Sequence, residues 1–421
     1  MEFVIEESED NRRPIFSWCK DVEDGALEQA QNLANHPKIH HPVALMPDCH
    51  SGYGMPIGGV IAVRNAVIPY AVGSDVGCGV LASRTELQAD KICENELKDI
   101  LDLMKQGVPV GFSTHSNSSK EYRENRVWIE EWLEKNVDFE KMEKIPFSRL
   151  KKIFGLKSKE DLVNYLTKSL GTLGSGNHFL SIEKGDDGYV WLMLHSGSRN
   201  MGYKIADYHH KIALQLNTDF ASNIPDKYLA FLPTNRAEGE NYLKDMQFAL
   251  EYAYENRQRM MKIFAKAFKK ITKKKIADTI NIHHNYAQFE HHYGKNLIIH
   301  RKGATSAKKG ERGIVPGSMG TSSYIVEGLG NWKSYQSCSH GAGRKMSRTK
   351  ASDELTKKEC NASMEGIVFG GWGKVERGKL KGAPDLSESP LAYKDIDEVM
   401  ESQKDLVEIK VKLTPIANMK G

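Results

Sequence analysis

Six side chains of this chain could do chemistry together, and each sits in a short glycine-flanked or strand-like segment. Asp75 and Cys78 lie in Gly-Ser-Asp-Val-Gly-Cys-Gly, His178 in Gly-Ser-Gly-Asn-His-Phe, and His195 in Leu-His-Ser-Gly-Ser-Arg. His284 follows in Ile-His-His-Asn and His340 in Cys-Ser-His-Gly-Ala-Gly-Arg. Glycine beside a polar side chain permits positive φ and close approach of backbone or ligand. A thiolate can bridge two divalent cations, and an aspartate three residues earlier can supply hard oxygen to one of them. Carboxylate, thiolate and several imidazoles suit borderline transition metals such as Zn, Mn, Co or Ni and do not suit Mg or Ca. The competing reading of Cys78 is a buried structural cysteine in a tight turn, and His283 competes with His284 as the donor of the His-His pair.

Around these donors lie groups suited to anions. Asn177 and Asn285 carry amides that could orient a ligand or a phosphate, and Arg199, four residues after His195, could clamp an anion through two N–H groups. Pro316-Gly-Ser-Met-Gly-Thr-Ser-Ser323 offers backbone amides and hydroxyls in a turn, a nest for phosphate without the Gly-Lys-Ser/Thr ending of a Walker sequence. His340, between serine and glycine, has room for a bulky adduct. An imidazole can attack phosphorus covalently, and Arg344 could neutralise the phosphate oxygens. A further metal-ligand role for His340 competes with the nucleophile.

These residues need elements to hold them. Segment 41–84 reads as short strands and tight turns, including a strand over Ala66-Val-Ile-Pro-Tyr-Ala-Val-Gly73. From about 117 to 170 the chain turns charged and helical, which suggests a helical insertion. Val190–His195 reads as a buried strand ending at a histidine. Residues 239–272 form the longest helix candidate, with Leu250, Phe264, Phe268 and Ile271 as a core stripe. Lys269, Lys270, Lys273, Lys274 and Lys275 close that helical region at 275 as a solvated basic face. Strands return after 278, over Thr279–His284 and Leu297–Lys302, and a loop-rich tail follows. Strand-rich ends around helical middle sections, without regular βαβ alternation, imply an α+β fold. No repeat or linker divides the chain.

Composition sets the outer limits. The chain has 421 residues, 40% of them hydrophobic and 27% charged, an ordinary globular balance. No run approaches the roughly 18 apolar residues of a membrane span, so no membrane partner is expected. The acidic start Met1-Glu2-Phe3-Val4-Ile5-Glu6-Glu7 lacks the basic and apolar regions of a signal peptide. Six cysteines without a CxxC pair read as free thiols of a cytoplasmic protein. A net charge of +4 does not mark a general polyanion binder but leaves room for a local basic groove.

Taken together, the segments resemble the RtcB family of RNA-splicing ligases. The matching strings are Met46-Pro-Asp-Cys-His-Ser-Gly-Tyr-Gly, Val72-Gly-Ser-Asp-Val-Gly-Cys-Gly, Leu173-Gly-Ser-Gly-Asn-His-Phe, Leu194-His-Ser-Gly-Ser-Arg and His284-Asn. Arg301-Lys-Gly-Ala, Pro316-Gly-Ser-Met-Gly, Cys338-Ser-His-Gly-Ala-Gly-Arg, Ala392-Tyr-Lys-Asp and Lys420-Gly421 follow in family order. The resemblance implies a single large α+β domain over residues 1–421, with mixed β-sheets around a dinuclear manganese centre and a helical insertion. It implies that Asp75, Cys78, His178, His195 and His284 hold two Mn²⁺ ions, with Cys78 bridging. His340 would take GMP from GTP and pass it to an RNA 3′-phosphate, formed from a 2′,3′-cyclic phosphate where needed, and a 5′-hydroxyl strand would displace GMP. Asn177, Ser318, Ser323, Arg344, Tyr393 and Lys420 match nucleotide-holding positions, and Lys302 and Arg199 match basic residues near the phosphates. Asp48 is a candidate for proton transfer or positioning. The alternative within the same fold is a metal-dependent RNA 3′-end phosphatase without productive ligation, and an archease-like activator is a possible partner.

One position departs from the family pattern. Relatives commonly carry glutamate two residues after the phenylalanine of Asn-His-Phe, where its carboxylate reads the guanine edge, and this chain has Ser181 there with Glu183 two residues on. Both side chains share one face of a strand, so either Glu183 substitutes or guanine discrimination is relaxed.

Overall fold

Two antiparallel-rich sheets carry the chain, and they meet where the candidate residues cluster. The computed structural model describes residues 1–138, 144–375 and 381–421. A six-stranded sheet runs in the order Phe3–Ile5, Ile15–Ser17, Ile39–His50, Ile57–Val63, Lys295–Lys302, Asn285–His292. A larger sheet runs Ile276–His283, Gly79–Gln88, Tyr189–Ser196, Phe179–Gly185, Val407–Lys420, Ser323–Gly328, Arg312–Val315, with Val368–Phe369 pairing parallel to Val407–Lys420. His284 is the residue at which the chain leaves the second sheet and enters the first. The mixed α+β class expected from the sequence is the one observed.

Helices cover the larger sheet. Ala237–Thr272 is the longest helix among the described residues, and Leu250, Phe264 and Phe268 are buried along it as the spacing predicts. Burying each large apolar side chain contributes about 1.5–3 kcal/mol. Phe264 and Phe268 pack with Leu180, Leu192, Leu194 and the helix Glu94–Gly107 over one face of the sheet, with Ile271 at the margin. Acidic Glu238 and Glu240 open the helix and Lys269 and Lys270 close it, matching the macrodipole. The lysine run through Lys275 is exposed. The expected helical region at 117–170 contains Lys120–Asn136, Phe147–Phe154 and Lys159–Ser169, and residues 139–143 within it lie outside the described ones. No helix among the described residues is long and apolar enough to cross a membrane.

Two expectations are corrected. The run Ala66–Gly73 is not one strand: only Ala66–Val67 pairs, and Pro69–Val72 turns into a short helix with proline at its first position. Proline's fixed φ and missing N–H suit that position, and they outweigh the β-branched composition. The tail is not merely loop-rich, because Val407–Lys420 is a long strand lying between Phe179–Gly185 and Ser323–Gly328. Its Pro415 sits at a register shift between Pro415 and Ala417, where the ladder tolerates a missing donor.

Candidate active site

Strand register assembles the donors. Gly79 pairs with Ser196 on one side and His283 on the other, and Phe179 pairs with His195 and Lys420. Cys78, His178, His195, His284 and Lys420 therefore occupy one end of five adjacent strands. The Asp75 loop is tied down by Asn285, whose Nδ2 donates to the Asp75 carbonyl at 3.0 Å while its Oδ1 accepts from Gly303 N at 2.8 Å. Both ends of that amide are engaged by backbone, so Asn285 positions the loop. Gly197 matters by its lack of a side chain, since a Cβ there would meet Asp75 Oδ1 at 2.6 Å.

Cys78 is shared by two groups of donors, Cys78–His195–His284 and Asp75–Cys78–His178, each with its ligand atoms within 4.8 Å of one another. His178 Nδ1 donates to the Leu173 carbonyl at 2.8 Å and His195 Nδ1 to the Asn177 carbonyl at 3.1 Å. Carbonyls only accept, so in the neutral rings each Nε2 presents a lone pair. Those Nε2 atoms lie 3.5 and 3.2 Å from Cys78 Sγ, and His178 Nε2 lies 3.3 Å from Asp75 Oδ2. Burial first, then the neighbouring imidazoles, hold His195 and His284 well below the ordinary histidine range. Burial and Asp75 push the Cys78 thiol up. Converging lone pairs with backbone-fixed second nitrogens fit a soft-to-borderline divalent cation, and the carbonyl partners supply the outer-shell orientation such ligands need. The His283 ambiguity is resolved by geometry: its Nδ1 lies 3.1 Å from both the Gly77 carbonyl and the Arg257 guanidinium, away from Cys78.

His340 stands beside this cluster, its ring centroid 4.8 Å from that of His284. The buried Asp48 carboxylate receives His340 Nδ1 at 2.5 Å and the His340 backbone N–H at 3.0 Å. This tautomer leaves Nε2 with its lone pair available. Gly303, at φ +59°, permits the close packing, because a Cβ there would crowd Ile57 and lie 3.1 Å from the imidazole. His340, Cys78, Asp75, His195, His284 and Asn177 all line one cavity.

Another part of the cavity lining is charged. Buried Glu388 accepts from Arg348 Nε at 2.8 Å and from the Tyr393 hydroxyl, and it pairs with Arg344 Nη1 at 3.3 Å and Lys420 Nζ at 3.4 Å. Burial pushes its carboxyl up, but Lys420, Arg348 and Arg344 outweigh it and hold the group down at about 2. The Arg344 guanidinium also lies over the Tyr393 ring, 5.0 Å from its centroid, and donates to the Ser387 carbonyl at 2.6 Å. Three cations against one carboxylate leave this part of the lining positive. Ser318 contributes to the lining as well, its N–H donating to Thr321 Oγ1 at 2.7 Å.

Glu183 is set back from that lining. Ser181 Oγ donates to Glu183 Oε1 at 2.7 Å and Ser323 Oγ to the same oxygen at 3.3 Å, while Ser323 Oγ accepts from Gly317 N at 3.2 Å. The two strand neighbours thus share a face, as the sequence spacing requires. Burial raises the Glu183 carboxyl to about 7, and the two serine hydroxyls only moderate this. Arg199 is likewise set back: its Nε donates to Thr172 Oγ1 at 3.0 Å and Nη2 to the Gly111 carbonyl at 3.1 Å. Lys302 does line the cavity, and its Nζ donates to the carbonyls of Tyr53 and Met55 at 2.7 and 2.8 Å. Burial lowers it to about 7.

Sequence reasoning missed four supporting groups. Asn256 and Arg257 hide in the buried stripe of the long helix. Asn256 Oδ1 accepts from Gly171 N at 2.7 Å, and Arg257 Nη1 donates to the carbonyls of Gly77 and Ser196, both at 3.0 Å. They fix the Cys78 loop and the end of the His195 strand. Two polar residues at core positions of one helix turn were the signal that could have found them. Glu388 and its partner Arg348 had no such signal, because Ser-Glu-Ser-Pro reads as an ordinary loop.

Comparison with known proteins matches residues 29–421 to a family model described as "tRNA-splicing ligase RtcB". The chain is 37% identical over 425 residues to "RNA-splicing ligase RtcB" of Escherichia coli (strain K12), covering 97% of each chain. It is 32% identical over 459 residues to "tRNA-splicing ligase RtcB" of Nanoarchaeum equitans, covering 95% of this chain and 92% of that one. An "RNA-splicing ligase RtcB homolog 2" of Entamoeba dispar is 33% identical over 463 residues, covering 96% and 84%.

Proposed function

The chain belongs to the RtcB family of RNA-splicing ligases, and from that membership we propose that it is a GTP- and Mn-dependent ligase joining RNA 3′-phosphate or 2′,3′-cyclic phosphate ends to 5′-hydroxyl ends. On this reading residues 1–421 act as one ligase domain in the cytoplasm. The observation that carries it is His340, locked by Asp48 at 2.5 Å beside the Cys78 donor cluster.

Asp75, Cys78, His178, His195 and His284 would hold two cations, with Cys78 common to both sites. Bound there, the metals would polarise phosphoryl oxygens in an in-line displacement. Every other step belongs to the chain's own groups. Asp48 holds the Nδ1 proton of His340, so Nε2 attacks the α-phosphorus of GTP; a P–N bond forms and the bond to pyrophosphate breaks. Arg344, Lys420, Tyr393, Ser318 and Asn177 would hold the nucleotide, with Ser323 and Glu183 behind them. GMP then passes from His340 to the RNA 3′-phosphate oxygen, breaking the P–N bond. The 5′-hydroxyl attacks the activated phosphorus and GMP leaves. Lys302 would neutralise phosphate charge, and Arg199, set back from the cavity, would act by holding Thr172 and Gly111 in place.

The test is incubation with α-labelled GTP and Mn²⁺, comparing the wild type with His340→Ala on a denaturing gel. An acid-labile, base-stable label present only in the wild type is expected. An unlabelled metal-loaded wild type, with and without an archease-like activator, overturns the reading and directs attention to 3′-end hydrolysis.

A further inference from the structure

Beside the cavity lies a cluster of rings that no step above uses. Tyr53 is 69% exposed. Single exposed aromatics need no explanation, but this one belongs to a connected set. The Tyr53 ring meets Tyr228 edge-on at 5.8 Å, and Tyr228 stacks near His210 at 6.0 Å. His210 stacks on Tyr70 at 4.1 Å. The inner rings pack on one another, so Tyr53 is the open member.

We infer that this aromatic ledge is a stacking subsite for an unpaired nucleobase of the RNA strand whose end enters the cavity. The inference rests on the RNA-end-joining reading above. Its first support is continuity. His50 and Ile57, on either side of the Tyr53 loop, both line the cavity, and so do Gly73 and Ser74, which follow the short helix carrying Tyr70. Two chain segments therefore each have one end in the cavity and a ring on the ledge.

Rigidity is the second support. The Gly52 N–H donates to Gln29 Oε1 at 3.0 Å, and Gln29 Nε2 donates to the Gly52 carbonyl at 2.5 Å. Lys302 Nζ holds the carbonyls of Tyr53 and Met55, so one buried cation of the cavity also fixes the loop that displays Tyr53. Gly54, at φ +70°, lets the loop close on Tyr228, where a Cβ would sit 2.8 Å from the tyrosine Cβ. A loop held this way is already ordered before a ligand arrives, which lowers the entropic cost of binding.

Chemistry is the third. Stacking on tyrosine accepts any base, because each presents a π-face, and suits a ligase that meets many sequences at a strand end. Lys227 Nζ lies 5.3 Å from the Tyr228 ring centroid, where a phosphate could meet it. The nearby acids are engaged: Asp207 pairs with Lys211 at 2.7 Å, and Asp226 accepts the Tyr228 N–H at 2.9 Å.

The experiment compares wild type, Tyr53→Ala and Tyr53→Phe in two assays: GTP self-labelling, and sealing of a short RNA pair carrying a single abasic site in either strand near the junction. Tyr53→Ala is expected to label like wild type but to raise KM for RNA roughly five- to hundredfold, with Tyr53→Phe restoring most of it. The abasic site in the stacking strand should weaken wild type and leave Tyr53→Ala unchanged, identifying which strand uses the ledge. A wild type that seals while Tyr53→Ala seals with the same KM overturns the subsite and leaves the ledge to a protein partner. A wild type that neither labels nor seals overturns the ligase reading itself.

Discussion

Around Cys78 the neighbours of each buried donor are other lone pairs; around Glu388 they are three cations and a phenol. Both groups line one cavity, yet burial has opposite consequences. At Cys78 it holds His195 and His284 neutral and pushes the thiol up, so these three donors stay uncharged until a cation arrives. At Glu388 burial is overridden by Lys420, Arg348 and Arg344, and the carboxylate remains ionised. A buried group stays charged only where opposite charges around it outweigh the cost of its depth. One cluster awaits a positive ligand. The other is positive by construction and awaits an anion.

The largest effect that could break this contrast is expected at Cys78. Replacing it with alanine removes the one atom common to both donor groups, so ligation should fall to background. The metal-free protein should lose little stability, because the thiol is neutral there. Thermal unfolding with and without Mn²⁺ separates the two: the wild-type midpoint should rise on adding metal, and the Cys78→Ala midpoint should not. An equal rise in the variant would remove Cys78 from the metal site.

Glu388→Gln tests the other side. It keeps shape but leaves Arg344, Arg348 and Lys420 facing one another. Breaking a buried pair costs about 3–5 kcal/mol, and the lower end is expected here because the Arg348 side chain is half exposed. The loss should be partly reversed by millimolar inorganic phosphate, which can take the place of the carboxylate, and KM for GTP should rise more than kcat falls. The acid limb carries the same information. A depressed carboxyl contributes stability above pH about 4.5 and loses it as pH falls toward 2, so the variant should lack this segment of the wild-type stability profile. Unchanged unfolding would mean that the backbone carbonyls already satisfy the cations.

How much of this was legible beforehand follows from the kind of signal each residue leaves. Asp75, Cys78, His178, His195 and His340 stand in glycine-flanked strings and His284 in a strand-like one, because close approach of side chains at strand ends leaves no room for a Cβ, as Gly197 against Asp75 illustrates. Their convergence was not visible in spacing; it comes from the pairing of Gly79 with Ser196 and His283, a property of the sheet. Asn256 and Arg257 were hidden by the helix stripe they occupy, and Glu388 by a loop whose partners lie up to 44 residues away in sequence. Val407–Lys420 was hidden by Pro415, which a strand interior excludes except at a shift such as the one observed.

Glu183 sharpens the comparison with the smallest expected effect. It is as buried as Glu388 but meets only the hydroxyls of Ser181 and Ser323, and its carboxyl is raised to about 7. A raised carboxyl stabilises the fold below pH about 4.5, and this contribution is lost as pH climbs to about 7. The penalty at higher pH is on the order of 3 kcal/mol. Glu183→Gln keeps the serine contacts without the charge, so it should match wild type near pH 4.5 and unfold at higher temperature at pH 8. Nucleotide choice gives the second readout. Only the ionised carboxylate offers acceptors alone to the N–H groups of a guanine edge, and Glu183 Oε2 has no hydrogen-bond partner among the described residues. If Glu183 has taken over from the serine at the usual glutamate position, preference for GTP over ATP should be weak at pH 6, rise by pH 8, and stay flat in Glu183→Gln. A strong preference that ignores both pH and the substitution would place guanine recognition elsewhere in the cavity.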